Sequence, residues 1–281
     1  MKEIGFQEIV QAVKGLCMDA NLYLPREVKD SFEKALREDP SPQARDVMAK
    51  LIENYRIAEE EKTPLCQDCG LAVFFVELGQ DARITGGLLI DAINEGVRQG
   101  YKEGYLRKSA VWDPVFERKN TGDNTPAIIY TDMVPGDGLK ISFAPKGGGS
   151  ENMSALGMLK PAQGAKGIKE FVVRTVDNAG SNPCPPIVVG IGIGGTADKA
   201  MQLAKRAIFR DIGSKSPEPR FAQLEEEILA EINTLGIGPQ GFGGSTTALG
   251  VMIEAYPCHI ASMPVGVNIQ CHSARHKTAV L

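Results

Sequence analysis

Apolar and polar positions alternate so as to divide the 281-residue chain into a helical opening and a longer region of interleaved strands and helices. Within residues 3–62, Ile9, Val13 and Leu16 recur at i, i+4 and i+7, and Val47, Leu51, Tyr55 and Ala58 repeat the stripe. That period predicts helices with one buried face and a solvated face of Glu and Lys. Asp39-Pro40-Ser41-Pro42 separates two of them, with Ser41 placed as an N-cap and Pro42 at the first helical position. The run Leu71-Ala72-Val73-Phe74-Phe75-Val76 then predicts a buried strand over 71–78, and a helix is expected from Thr85 to Gly104.

Beyond it, Asn120 to Pro126 is a dense cluster of turn residues leading into a strand over 127–134. Gly136-Asp137-Gly138 predicts a hairpin into Leu139–Phe143, which alternates at period 2. Helices are expected over 161–180, 197–210 and 219–235, and strands over 187–193, 247–254 and 260–268. Hairpin pairing in the middle and alternation later predict an α/β, mixed α+β fold. The expected organisation is one domain over 1–281, with room for two lobes and the helical segment 1–62 packed on it.

Composition narrows the function. Hydrophobic content of 43% and charged content of 23% are those of an ordinary globular chain. With 31 basic and 35 acidic residues the net charge is −4, and no basic stripe is present, which argues against nucleic acid as a partner. No stretch has the 18 or so uninterrupted apolar residues of a membrane span, and Met1-Lys2-Glu3-Ile4-Gly5-Phe6 is too charged for a signal peptide. A cytoplasmic protein that does not enter the membrane is the expectation. In that setting its six cysteines point to metal binding, catalysis or inert core rather than disulfides.

Three of the cysteines sit at element boundaries among Pro, Gln, Asn or Asp: Cys66 in Thr63-Pro64-Leu65-Cys66-Gln67-Asp68-Cys69-Gly70, Cys184 in Asn182-Pro183-Cys184-Pro185-Pro186, and Cys271 in Asn268-Ile269-Gln270-Cys271-His272. Cys66 and Cys69 form a CxxC, which alone fits a redox pair, half a zinc site or a chance neighbour. Cys17, on a helix beside Leu16, reads as a small apolar residue. Gly190-x-Gly192-x-x-Gly195 matches the dinucleotide fingerprint in letters, but the acidic residue at the right count, Asp211, ends a helix, so close helix–strand packing is the better reading. Lys146-Gly147-Gly148-Gly149-Ser150 lacks the P-loop ending and reads as an anion nest. All three histidines fall between 259 and 276; with Arg275 and Lys277 they suggest a cationic wall for a carboxylate.

Taken together, Cys66-Gln67-Asp68, Asn182-Pro183-Cys184-Pro185-Pro186, Cys271-His272, Thr121-Gly122-Asp123-Asn124-Thr125-Pro126, the Lys146–Asn152 loop and Gly190–Thr196 resemble the iron–sulfur hydro-lyases. These are the class I fumarases and the closely related L-tartrate dehydratases, and the resemblance covers the whole chain. It implies a 4Fe–4S cluster held by Cys66, Cys184 and Cys271, with one iron open to substrate. It implies substrate-pocket positions at Gln67, Asp68, Arg107, Gly149 and His259, with Asp68, Gln67 and His259 in the catalytic set. Where this chain has Cys69 the family more often has Thr. Single-chain members carry a further C-terminal domain, whereas this chain stops ten residues after Cys271. The resemblance therefore implies an alpha subunit whose pocket a beta subunit completes, in an alpha2beta2 assembly acting on a small dicarboxylate. Interconversion of (S)-malate and fumarate is the expected reaction, and L-tartrate dehydration the alternative. A non-catalytic iron–sulfur sensor and a nucleotide-binding protein are the further readings.

Overall fold

The structure is a computed structural model and describes residues 2–281. In chain order the elements of the first half are β1 (Lys2–Gly5), α1 (Phe6–Leu22), α2 (Arg26–Glu38), α3 (Pro42–Glu61), β2 (Leu71–Gly79), β3 (Ala82–Thr85), α4 (Leu89–Glu103), β4 (Ile128–Val134) and β5 (Leu139–Lys146). The remainder are α5 (Gly148–Glu151), β6 (Ala155–Leu159), α6 (Gly164–Ala179), β7 (Ile187–Gly194), α7 (Ala197–Ala207), α8 (Pro219–Asn233), β8 (Ala248–Tyr256), β9 (Met263–Gln270) and β10 (Lys277–Val280). The fold is mixed α+β, as the pattern predicts. Among the described residues no helix is long and apolar enough to cross a membrane. The chain forms two compact units, one of residues 2–24, 55–148 and 275–281, the other of 25–54 and 149–274.

In the first unit a four-stranded sheet runs β10-β5-β2-β4. The expected hairpin between β4 and β5 does not form. β2 lies between them, parallel to β4 and antiparallel to β5. Its five consecutive buried residues, Ala72–Val76, need cover from both faces, and a central position supplies it. The Gly136 turn instead wraps the end of β2: a β-carbon on Gly79 would lie 2.5 Å from the Gly136 carbonyl oxygen. The helical opening also starts later than its pattern suggests, because Lys2–Gly5 is a strand paired in parallel with β3. α1 buries Ile9, Val13, Leu16 and Cys17 as its stripe predicts. Gly96 and Gly100, one turn apart on α4, make the groove for it, since added β-carbons would come 2.6 Å from Val13 Cβ and 2.8 Å from Cys17 Cβ.

In the second unit the sheet order is β6-β9-β7-β8. β7 is buried throughout, parallel to β8 and antiparallel to β9. The glycines of the dinucleotide-like pattern serve packing: β-carbons on Gly190 and Gly192 would stand 2.1 Å from Ala204 O and 2.0 Å from Ala200 O, both on α7. Gly192→Ala is therefore expected to force α7 off the sheet and lower stability by about 1–3 kcal/mol, the usual range for overpacking. Urea denaturation of the full chain measures it, and an unchanged midpoint would show that α7 yields without loss.

Ser41 caps α3 as expected, accepting the Ala44 amide at 3.3 Å. Asp39, two residues before it, has a larger role. Its buried carboxylate accepts the amides of Ser41 (3.0 Å), Ser245 (2.9 Å) and Thr246 (3.0 Å) and the Thr246 hydroxyl (2.9 Å). Pairing over two hundred residues has no local signal in the sequence.

Candidate active site

In the first unit the turn between α3 and β2 holds Cys66, Gln67, Asp68 and Cys69. The two thiols of the CxxC face different surroundings. Cys66 is partly exposed; its sulfur accepts the Asp68 amide at 3.4 Å and lies 3.3 Å from Gln67 Oε1. Cys69 is buried, and its sulfur accepts the Arg107 amide at 3.3 Å. Burial pushes the Cys69 thiol up, against the opposing pull of that amide and of Arg275. Of the pair, Cys66 is the thiol with access to a ligand. Cys17, buried on α1, has its thiol pushed up further by burial alone and is the inert core residue expected.

The turn is braced from several directions. Asp68 accepts the amides of Gly70 (3.0 Å) and Gly148 (2.8 Å), so one donor of the glycine nest is already engaged. Gly70 has φ +65, and a β-carbon on it would lie 2.5 Å from Lys146 N, a position only glycine tolerates. Asn124 donates to Gly70 O at 3.1 Å and accepts the amides of Ser109 and Ala110 at 2.7 and 3.1 Å. The buried Tyr101 hydroxyl donates to Cys69 O at 2.7 Å. Arg107, whose amide makes the Cys69 contact, is an exposed residue.

Sequence proximity groups Arg275 with a cationic wall, and the structure disperses that group. Only 2% exposed, Arg275 donates to Asn21 Oδ1 at 3.1 Å and to the Asp68 carbonyl at 3.0 Å, while its Nε has no partner among the described residues. It is a buried positive charge held against neutral oxygens directly behind the Cys66–Asp68 turn. Lys277 belongs to β10, paired with β5 at Phe143.

In the second unit Cys184 lies three residues before β7 and Cys271 one residue after β9. Because Val188 pairs with Gln270 on these antiparallel neighbours, both cysteines come to the same end of the sheet. The His272 amide donates to the Cys184 carbonyl at 3.1 Å and ties the two loops. Gln240 donates to the Pro185 carbonyl at 2.7 Å and lies 3.1 Å from His272 Nδ1. Cys184 is exposed, with a left-handed backbone (φ 55) unusual for a non-glycine residue, and Cys271 is partly exposed. Gly149 is at this end too: its added β-carbon would lie 3.2 Å from Asn182 O.

His259 is elsewhere. It follows β8, whose last residue Tyr256 pairs with Gly194 at the far end of β7. Eight residues of β7 at about 3.3 Å each put it roughly 25 Å from Cys184 and Cys271. There it lines a cleft of about 700 Å³ with Lys199, Tyr256 and Cys258 at the start of α7. Within one copy of the chain His259 does not share a ligand with Cys184 and Cys271. None of the six cysteines is in a disulfide.

Comparison with known proteins gives the class of this α+β chain: it is an enzyme of the hydro-lyase type. Residues 10–280 match the family model described as fumarate hydratase (Fumerase), and the chain belongs to that family. Among its relatives, a Methanocaldococcus jannaschii protein provisionally named L(+)-tartrate dehydratase subunit alpha is 46% identical over 272 residues, covering 95% of each chain. L(+)-tartrate dehydratase subunit alpha of Escherichia coli strain UTI89 is 31% identical over 280 residues, covering 99% of this chain and 92% of its own. The strain K12 protein of the same name is 29% identical over 282 residues, covering 100% and 93%.

Proposed function

We propose that this chain is the alpha subunit of a two-subunit iron–sulfur hydro-lyase that interconverts (S)-malate and fumarate. The observation carrying the proposal is the pairing of Cys184 and Cys271 on tied loops at one end of a sheet, with accessible thiols and no disulfide. Thiolates are the ligands an iron–sulfur cluster takes, and the donor set fits: Cys66, Cys184 and Cys271 are accessible, Cys17 and Cys69 are buried, and the exposed Cys258 lies with His259 at the opposite end of the sheet from Cys184 and Cys271. These three would hold a 4Fe–4S cluster. When bound, it supplies a Lewis-acidic iron that makes the C2 hydroxyl of a 2-hydroxy acid a tolerable leaving group.

The chain's own residues do the rest. Asp68, fixed by two backbone amides, holds the turn that carries Cys66 and keeps it open to solvent. Gln67 projects its exposed amide beside the Cys66 sulfur, where it orients a substrate hydroxyl or carboxylate. Arg107, an exposed residue, offers its guanidinium for the distal carboxylate, a pairing whose fork geometry fixes orientation. Gly149 lets a ligand approach the backbone where any side chain would crowd Asn182 O. The proton-transfer group comes from the beta subunit. A role for His259 in the reaction requires a second copy of the chain, given its distance from the paired cysteines.

The names of the relatives favour L-tartrate as a second substrate reading, with the same elimination and one further hydroxyl to accommodate. Anaerobic co-expression with the beta subunit, cluster reconstitution, and assays on malate, fumarate and L-tartrate separate the two. Faster turnover of malate and fumarate is the expected result. Faster turnover of L-tartrate would replace the substrate assignment, and a preparation without bound iron and sulfide would end the cluster proposal.

A further inference from the structure

Residues 105–122 of the first unit form an arm that is well ordered by hydrogen bonds and poorly covered by the rest of the chain. Val111 and Asn120 bridge its two sides, and the Trp112 amide donates to Lys119 O at 2.9 Å. Asp113 closes the tip, its carboxylate accepting the amides of Val115, Phe116 and Glu117 at 2.7 to 3.1 Å. Those amides hold the Asp113 carboxyl below its ordinary value. Asn120 fixes the root through Lys108 O at 2.9 Å and the Gly122 amide at 2.7 Å.

On this rigid backbone stand Tyr105 (89% exposed), Trp112 (63%), Val115 (67%) and Phe116 (87%). An apolar surface of this kind marks an interaction site when it exceeds a few hundred Å². At roughly 150–250 Å² for each aromatic side chain, covering the three rings would remove roughly 400–500 Å². That is half or more of the about 800 Å² each partner gives to a standard interface. Rings on a pre-ordered loop also lose little freedom on docking, which is what makes aromatic residues effective anchors.

We propose that this arm is the docking element for the beta subunit, which receives Trp112 and Phe116 in an apolar pocket rimmed by carboxylates. Charge weighs against the arm meeting its own counterpart in a second copy. The arm carries Arg107, Lys108, Arg118 and Lys119 against Asp113 and Glu117, and the Asp113 carboxylate is engaged by its own loop, so two arms meeting would repel. Position selects the beta subunit, the chain that completes the pocket in the two-subunit reading. The arm begins at the residues that touch the cysteine turn, through the Arg107 amide on Cys69 and through Asn124, which bridges Gly70 O to the Ser109 and Ala110 amides. A subunit seated on the arm is thereby brought beside Gln67 and Arg107. The inference rests on the two-subunit reading above.

The test is titration calorimetry of the full chain with its purified beta subunit, comparing the parent, the double variant Trp112→Ser/Phe116→Ser, and Leu88→Ser, an exposed apolar position off the arm. Loss of two aromatic anchors is expected to weaken binding about 100-fold or more, with Leu88→Ser unchanged and the circular dichroism of all three alike. Equal affinity of parent and double variant overturns the docking role. So does a self-associating parent chain that the double variant makes monomeric while beta binding is unaffected. Absence of any binding by the parent removes the two-subunit reading and this inference with it, and the parent titration alone reveals that case.

Discussion

Cys184→Ser is expected to lose both the visible absorption of a reconstituted cluster and its hydro-lyase activity, the latter by more than about 1,000-fold, on the scale of several kcal/mol that Lewis-acid assistance supplies. Serine is close in size, and Cys184 is exposed, so folding has little reason to change. The His272 amide bonds to the Cys184 carbonyl, not to its side chain, and that tie survives the replacement. Cys258→Ser is the matched control: an exposed thiol whose sulfur donates to Ser262 O at 3.2 Å, on the far end of the sheet with His259. It should keep iron, sulfide and turnover. Measuring iron and acid-labile sulfide beside activity separates outcomes that activity alone confuses. Full turnover by a Cys184→Ser enzyme without iron would refute the proposed mechanism.

Asp39→Ala should cost about 3–5 kcal/mol at pH 7, because it orphans three backbone amides and a hydroxyl whose loss as buried donors costs about 1–3 kcal/mol each, partly relieved by water. The pH dependence is diagnostic. Burial alone would raise the Asp39 carboxyl, but the Ser41 amide, the Thr246 hydroxyl and the Ser245 amide outweigh it and hold it below its ordinary value. A carboxyl depressed in the folded state contributes stability that is complete above its unfolded pKa, near 3.9, and is lost as pH falls through the lower folded value. The gap between parent and Asp39→Ala should thus be widest near neutrality and narrow in acid. Denaturant unfolding at pH 7 and at progressively lower pH checks this. A gap under about 1 kcal/mol at pH 7, or one that does not narrow, would show that the carboxylate is not the clamp described.

Long apolar repeats make much of the fold legible. The stripes of α1 and α3, the run of β2 and the strand before Gly194 each carry enough buried positions to fix their type. Strands of four or five residues do not announce themselves. β1, β3, β6 and β10 are too short to show a period and are ordered by their partners. The hairpin expected at Gly136–Gly138 fails because a turn motif records where the chain reverses, not which strand fills the space between. At the site, the sequence singles out the cysteine-bearing loops, but the CxxC by itself does not separate Cys66 from Cys69; the resemblance chooses Cys66, and burial of Cys69 supplies a physical reason. Arg275 reads as a surface cation because charge usually is; its place behind Asp68 depends on residues 254 positions apart. The tie from Asn124 across Gly70 and Ser109 is equally out of reach, since turn-rich Asn120–Pro126 discloses a bend and nothing of what it grips.

The segmented make-up of the first unit bears on how the polypeptide emerges from the ribosome. Its sheet lacks an edge until Lys277–Val280 reach β5, about 130 residues upstream, and all of 149–274 is translated in between. The guest is therefore synthesised whole while its host still waits for a final strand. The host meanwhile has an open border at β5, where a nascent chain is most vulnerable to stray pairing with its neighbours.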